Sequence, residues 1–445
     1  MIILNPTHDA SVQSWVESAN TPYTDFPIQN LPFCVFRLPG SSATARCGVA
    51  IGDRIVDIAR AAGAFAFSGN ALEVALACGS DTLNQVMELP GPSLAAFRQQ
   101  LFELLAQDTP AARRVIVDAL VPMTAVELQM PVRISGYTDF FASIHHATNA
   151  GRLFRPDQPL LPNYKYVPVG YNGRAASVQL GDAPVRRPRG QLRSQSSDAP
   201  AFRPCEKLDY EVELGFFVGR GSEQGLPVPT DKAWEHVFGV CLLNDWSARD
   251  MQAWEAQPLG PFLSKSFATS ISPWIVTAEA LAPFRAPAAA RPPGDPTPLK
   301  HLLSANDQAA GAVQILIDAR ISTEQMRAGG MPPALLSRSD SAMLYWTPGQ
   351  MLAHHTSNGS ALFTGDLIGS GTISGPDETS MGSLLEISRG GSVPFRLPSG
   401  EERRFLENGD EITFTARCER PGFASIGFGE CRSTVLPSLM LDTEI

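Results

Sequence analysis

Two glutamates, Glu211 and Glu213, stand two residues apart inside the apolar run Leu208–Val218. Residues i and i+2 of a strand face the same side. A strand here therefore carries both carboxylates on one face of a segment whose other residues favour burial. Buried like charges repel and are costly to desolvate, and a bound cation or protonation offsets that cost. Two further acids keep similar company: Asp245 in Cys241-Leu-Leu-Asn-Asp-Trp246 and Asp139 in Gly136-Tyr-Thr-Asp-Phe-Phe141. An all-oxygen donor set suits a hard divalent cation such as Mg²⁺ or Ca²⁺. The competing reading is an exposed edge strand with two solvated glutamates.

At 445 residues the chain exceeds one ordinary core, so two domains are expected. A small N-terminal unit over 1–120 holds strands at Phe33–Arg37 and Arg46–Asp57 around a turn at Pro39–Ser42. Helical stretches follow near Ile58–Ala77 and Leu94–Asp108. The remainder, 121–445, reads as strand-rich, at Glu213–Val218, Gly239–Leu243, Val313–Asp318, Asp366–Ser370 and Glu411–Ala416. Tyr166–Tyr171 is extended and runs into Asn172-Gly173, a strong hairpin signal. Helices are expected at Thr230–His236, Ala248–Trp254 and Pro348–His354, the last with Thr347 as N-cap and Pro348 as first residue. Arg186–Pro204 and Ala282–Pro298 read as loops by composition, and the 37 Gly and 37 Pro residues fit a turn-rich α+β, mainly β, architecture. The formal net charge of −10 argues against a nucleic-acid or anionic-membrane partner. Seven scattered cysteines suggest no disulfide framework and fit a reducing compartment. No stretch is long and apolar enough to span a bilayer, so a soluble cytoplasmic protein is expected.

Several segments outside the acids carry candidate chemistry. Ser143-Ile-His-His-Ala-Thr-Asn149 holds adjacent histidines; in an extended chain they point to opposite faces, so only one can serve a given site. His146, seven residues after Asp139, suits general-base work. Arg249 and Gln252 are i and i+3 on a helix whose N-cap is expected to be Ser247 or Asp245, and together they could hold an anion or a developing oxyanion. An ordinary capped surface helix is the alternative. Lys265, in an apolar segment, could be an anion clamp or a counter-ion to Glu211 or Glu213. Gly369–Pro376 fits neither a dinucleotide fingerprint nor a P-loop. It reads as a tight turn whose N–H groups, or Thr372, could meet a carboxylate. Glu386 is an acid inside the apolar stretch Leu384–Ser388, read as a strand, and wants a partner. A histidine is an attractive one, because a carboxylate fixes its tautomer. A solvated acid on a strand edge is the alternative.

Taken together and in order, these segments resemble the fumarylacetoacetate hydrolase family. The resemblance runs from Asp25-Phe-Pro-Ile-Gln-Asn-Leu-Pro32 to Gly427-Phe-Gly-Glu-Cys431. Between them lie Tyr137-Thr-Asp-Phe, His146-Ala-Thr-Asn149, Pro168-Val-Gly-Tyr171, Arg186-Arg-Pro188, Asn244–Asp250, Gly260-Pro-Phe-Leu, Gly371-Thr-Ile-Ser-Gly-Pro376 and Leu385-Glu386. The resemblance implies a small SH3-like N-terminal barrel, a larger β-rich catalytic domain and a homodimer. It implies metal ligands Asp139, Glu211, Glu213 and Asp245, with Lys265 and Thr269 near the ion. It implies His146 as the base, oriented by Glu386, and Arg249, Gln252 and Lys265 as oxyanion donors. Arg155, Tyr171 and Thr372 would hold substrate carboxylate and keto groups. Phe141 and Ala256 stand where the resemblance leads one to expect tyrosines, Ala268 where it leads one to expect a glycine, and Gly136 an acid. The implied activity is metal-dependent hydrolysis of the carbon–carbon bond of 4-fumarylacetoacetate to fumarate and acetoacetate, the last step of tyrosine and phenylalanine catabolism, without an organic cofactor. An acylpyruvate or related β-diketo acid hydrolase of the same fold is the nearest alternative, and a catalytically silent metal-stabilised binding protein a more distant one.

Overall fold

The computed structural model describes residues 4–40, 44–106, 110–193 and 199–439. Part of the expected turn at Pro39–Ser42, the end of the expected helix at Leu94–Asp108 and the middle of Arg186–Pro204 lie outside the described residues. Near the N-terminus the order is Leu120–Pro122, Arg54–Asp57, Arg46–Ile51, Phe33–Arg37 and Glu127–Gln129, a five-stranded antiparallel sheet of the small-barrel kind. Glu127–Gln129 pairs with Phe33–Arg37, so this sheet takes in residues beyond 120. Helices Ile58–Gly63, Asn70–Ala77 and Gly91–Ala106 bury Ile58, Ala71, Val74, Phe97 and Leu101 in the same core.

The central sheet of the larger unit runs Gly170–Asn172, Tyr137–Phe140, Leu367–Gly369, Val212–Val218, Val237–Asp245, Thr269–Ile271 and Val178–Leu180, with Val276–Thr277 paired beside it. Side chains alternate between its faces. Leu214, Phe216, Val240 and Leu242 enter one core, shared with the second sheet through Ile317, Ile412 and Phe414. The alternate residues Tyr137, Phe217, Cys241, Leu243, Ile271 and Leu367 enter the other, against Phe33, Val35 and Phe97 of the N-terminal unit. Paired backbone hydrogen bonds between Phe33 and Ile275, at 3.0 and 2.8 Å, tie the two units together. Continuing the second alternation along each strand brings Asp139, Glu213, Asp245 and Thr269 to the face that the N-terminal unit covers elsewhere. The site is built there. The second sheet, Ala334–Asp340, Leu316–Ser322, Glu411–Cys418, Ile426–Leu436 and Val185–Arg186, closes the opposite side.

Several local expectations differ from the structure: the expected loop Ala282–Pro298 opens with a helical turn, Ala282–Phe284, and a strand, Arg285–Ala286, paired with Ala312–Val313, and the expected helix Thr230–His236 is a short 3-10 turn at Ala233–His236. Leu384–Ile387 is a helical turn and not a strand. The backbone N–H groups of Leu384 and Leu385 donate to the distant Asp209 carboxylate at 2.7 and 2.9 Å, which ends the extended chain there. Asn172-Gly173 makes no hairpin: Gly170–Asn172 pairs back onto Tyr137–Phe140, and Val178–Leu180 leaves to pair in parallel with Thr269–Ile271. Arg186–Pro204 contains the antiparallel pair Arg189–Leu192 and Ala201–Pro204. The helix Arg249–Glu255 starts after Ala248 with no side-chain cap, because the Ser247 hydroxyl donates to the Asp245 carbonyl at 3.0 Å. Thr347 does cap Pro348–Thr356, in a capping box with Gln350.

Candidate active site

Strand register assembles the acids. Glu213 faces Leu243, Asp245 faces Thr269, and Gly369 lies beside both Gly215 and Asp139. A Cβ on Gly369 would fall 2.5 Å from Asp139 Oδ1 and 3.2 Å from Glu213 Oε2, so glycine is what leaves room for the carboxylates. Oxygens of Asp139, Glu213 and Asp245 lie within 4.8 Å of one another, and all three residues are buried. Of the four acids expected as ligands, three are thus brought together. Glu211, the fourth, faces cations: Arg249 Nη1 at 2.7 Å and Lys265 Nζ at 2.6 Å. Lys265 also donates to Asp245 Oδ2.

The residue that the sequence reading missed is Arg174. Its Nη2 donates to Asp139 Oδ2 at 2.7 Å and Asp245 Oδ2 at 2.9 Å. Its guanidinium lies 4.6 Å from the Tyr137 ring centroid and 4.8 Å from that of Tyr171. Arg174 sits at φ 59°, a left-handed conformation that returns the chain after Asn172-Gly173 and carries the side chain inward.

Charge decides what the cluster can accept. Five buried carboxylates, Asp139, Asp209, Glu211, Glu213 and Asp245, face three cations with buried side chains, Arg174, Arg249 and Lys265. With all five ionised, the excess of two negative charges equals the charge of one divalent ion. Burial, with Asp139, Asp245 and Glu211 as neighbours, holds the Glu213 carboxyl well above the usual range. Asp245 is pushed up to about 6 by burial, with Arg174 and Lys265 opposing the shift and Asp139 and Glu211 adding to it. Burial also raises Glu211, but Lys265, Arg249 and His146 together draw it well below. Asp139 Oδ1, Glu213 Oε1, Asp245 Oδ1 and Thr269 Oγ1 are buried with no hydrogen-bond partner among the described residues. Four unpartnered oxygens beside an uncompensated charge are what a hard cation would satisfy.

His146 lies in the helix Ile144–Phe154, not in an extended chain, and its N–H donates to the Ser143 hydroxyl at 3.3 Å. The helix turns His145 away to a half-buried position and buries His146. His146 Nδ1 is 2.7 Å from Glu386 Oε2, and Nε2 is 4.0 Å from Glu211 Oε1. Glu386 also accepts from Asn149, Ser374 and Ser383 at 2.9, 2.9 and 2.8 Å. Burial pushes its carboxyl up, yet His146, Asn149 and Ser383 bring it below the ordinary value. With Nδ1 facing a carboxylate, the neutral imidazole carries its proton there and Nε2 stays a free acceptor.

One cavity of about 490 Å³ opens beside these groups. Asp139, His146, Glu211, Glu213, Arg249, Gln252 and Lys265 form its polar floor, with Arg155, Tyr171 and Thr372 around it. Phe141, Val169, Ala256 and Leu385 supply apolar wall. Arg249 Nη1 donates to Gln252 Oε1 at 3.2 Å, so the pair shares a helix face as its spacing predicts. The turn after Gly369 meets a carboxylate through a backbone donor: Gly371 N–H to Glu213 Oε2 at 3.2 Å. Arg155 is exposed at the end of its helix, and Phe141 packs edge-on to His146 with centroids 5.3 Å apart. A base held by a carboxylate, a multi-acid cation site and clustered cationic donors can activate water and receive an oxyanion.

Two family profiles match the chain. One, described as fumarylacetoacetate (FAA) hydrolase C-terminal, covers residues 136–436, and another, fumarylacetoacetase N-terminal, covers 29–131. The fumarylacetoacetase of Oryza sativa subsp. japonica is 42% identical over 434 residues, 96% of this chain and 98% of that protein. That of Caenorhabditis elegans is 42% identical over 93% of this chain and 97% of its own, and that of Homo sapiens 41% identical over 94% and 97%.

Proposed function

The chain belongs to the fumarylacetoacetate hydrolase family, and from that premise we propose that it hydrolyses the carbon–carbon bond of 4-fumarylacetoacetate to fumarate and acetoacetate, closing tyrosine catabolism. What carries the reading is that His146, held by Glu386 behind it, lines the same cavity as Asp139 and Glu213, whose carboxylates cluster with that of Asp245. Mg²⁺ or Ca²⁺ would be held by those three acids and Thr269, whose free oxygens are of the hard type both ions prefer. Glu211 is the fourth donor of this reading, since each of its engaged oxygens keeps a second lone pair. When bound, the ion polarises the β-diketone oxygens and supports negative charge on the departing fragment.

The chain's own groups supply the rest. His146 Nε2 removes a proton from water while Glu386 holds Nδ1. The hydroxide adds to the carbonyl next to the alkene. Arg249, Gln252 and Lys265 receive the charge that develops on that carbonyl oxygen. When the bond breaks, its electron pair leaves with the acetoacetate carbon, and the proton on His146 returns there. Hydroxyl ends on fumarate and hydrogen on acetoacetate, so the atoms of one water balance. Arg155, Tyr171 and Thr372 orient the carboxylate and keto groups, and Phe141 closes the pocket beside His146. The same reading carries a cytoplasmic homodimer, for which seven buried free cysteines support a reducing compartment. No helix among the described residues is long and apolar enough to cross a membrane.

Loss of ultraviolet absorbance on a panel of diketo acids tests the function. Fumarylacetoacetate should have the highest kcat/KM, and preference for an acylpyruvate would overturn the assignment. The raised Glu213 carboxyl gives a second expectation. This carboxyl keeps a proton to higher pH than an ordinary glutamate does, and the ion needs the carboxylate, so binding must expel that proton wherever it is held. Affinity should rise about tenfold per pH unit for one proton released, up to the carboxyl's own pKa. The slope should steepen below about pH 6, where Asp245 also protonates. Calorimetry in buffers of different ionisation heat checks this, and an affinity flat from about pH 5 to 7 would contradict it.

A further inference from the structure

We propose that Asp209 is the shared positioning residue that couples the oxyanion donor Arg249 to the turn carrying Glu386, so that both are set by one buried carboxylate. The proposal rests on the functional reading above. Asp209 is fully buried. Its Oδ2 accepts from Arg249 Nε at 2.8 Å and Leu385 N at 2.9 Å, and its Oδ1 from Leu384 N at 2.7 Å and Tyr210 N at 2.9 Å. Four donors therefore converge on two oxygens, from three separate segments of the chain.

The backbone holds this arrangement on both sides. Leu208–Asp209 pairs with Ser247–Ala248, Asp209 opposite Ser247, and Arg249 N–H donates to the Lys207 carbonyl at 2.9 Å. Arg249 is thereby anchored at Nε and presents Nη1 to Glu211 and Gln252. On the other side, Asp209 supplies the acceptors for the first two N–H groups of Leu384–Ile387, and Glu386 is the third residue of that turn. Its carboxylate then reaches His146 at 2.7 Å. Water activation and charge reception must be in register with the same carbonyl, and a misplacement of about 1 Å costs on the order of 100-fold in rate. One carboxylate gripping both supports fixes that register. Asp209 touches neither His146 nor the three clustered acids, so its effect passes through Arg249 and the Glu386 turn.

The test is a pair of mutant cycles in the full-length, metal-loaded protein. Asp209→Asn turns one acceptor oxygen into a donor facing donors. It should lower kcat on fumarylacetoacetate about 100-fold while KM and Mg²⁺ affinity stay within about threefold. In an Arg249→Lys background, and separately in a Glu386→Gln background, the same change should cost less than about tenfold, because residues acting as one unit are not additive. The full 100-fold penalty in both backgrounds, a loss confined to KM, or near-wild-type kcat would overturn the proposal. Asp209→Ser, which keeps one small acceptor, repeats the cycle if the asparagine variant is insoluble. Failure of both to fold while Arg249→Lys and Glu386→Gln fold would make Asp209 a folding residue and overturn it too. An inert wild type would instead sink the functional reading, which separates the two failures.

Discussion

Replacing Asp245 with alanine is expected to abolish tight binding of Mg²⁺ or Ca²⁺ and to cut turnover by about a thousandfold or more. Lewis-acid assistance is worth several kcal/mol, and each 1.36 kcal/mol is a factor of ten. Asp245 is central for two reasons. Its Oδ1 is one of the four unpartnered buried oxygens, and its Oδ2 takes hydrogen bonds from both Arg174 and Lys265. Deletion removes a donor and half of the excess negative charge. The two cations survive the loss, because Arg174 keeps Asp139 at 2.7 Å and Lys265 keeps Glu211 at 2.6 Å. The variant should therefore fold, with a cluster too nearly neutral to attract a divalent ion. Asp245→Asn, which keeps the shape and loses the charge, should weaken binding in the same direction by less. Titration calorimetry reads both, and unchanged affinity in the alanine variant would remove Asp245 from the metal site.

Local periodicity made the first part of this site legible. Glu211 and Glu213 had to share a face because a strand's period is two, and the structure keeps them on the face that also carries Phe217. Which distant acids join them depends on register, which spacing alone does not contain. The apolar company of Asp139 and Asp245 marks them as candidates, and the ordered motifs of the family make them ligands. Glu211 shows the limit of that route: its position follows the motif, but its partners, Arg249 and Lys265, are set by the fold. The hairpin signal of Asn172-Gly173 carries no sign that the chain turns Arg174 inward, at a left-handed φ of 59°. The available signal was a cation just after an aromatic strand segment, three residues beyond Tyr171. Leu384–Ser388 failed for a different reason. Its apolar run fits a strand or a buried turn equally well, and the choice is made by Asp209, 175 residues earlier in the chain. Long-range hydrogen bonds of this kind leave no local trace in composition.

The remaining large effect falls on the base. His146→Ala should lower kcat by about 10²- to 10⁴-fold, the usual range for general acid–base catalysis, with metal affinity unchanged. Neither His146 nor Glu386 contributes an oxygen to the unpartnered set, so the ion should not sense the change. Glu386→Gln discriminates further. Glu386 is held in its ionised form by His146, Asn149 and Ser383 despite its burial, and it also accepts from Ser374. A glutamine must turn an amide N–H₂ toward one group of those donors. If it faces His146 Nδ1, the imidazole proton moves to Nε2 and the base is blocked; if it faces Asn149, the charge that supports the imidazolium is still gone. Either geometry should cost about 100-fold in kcat, through the base rather than through binding. Near-wild-type turnover for Glu386→Gln would separate Glu386 from His146. A parallel loss of Mg²⁺ affinity would show that the 2.7 Å contact serves to hold the cavity's shape and not to orient a base.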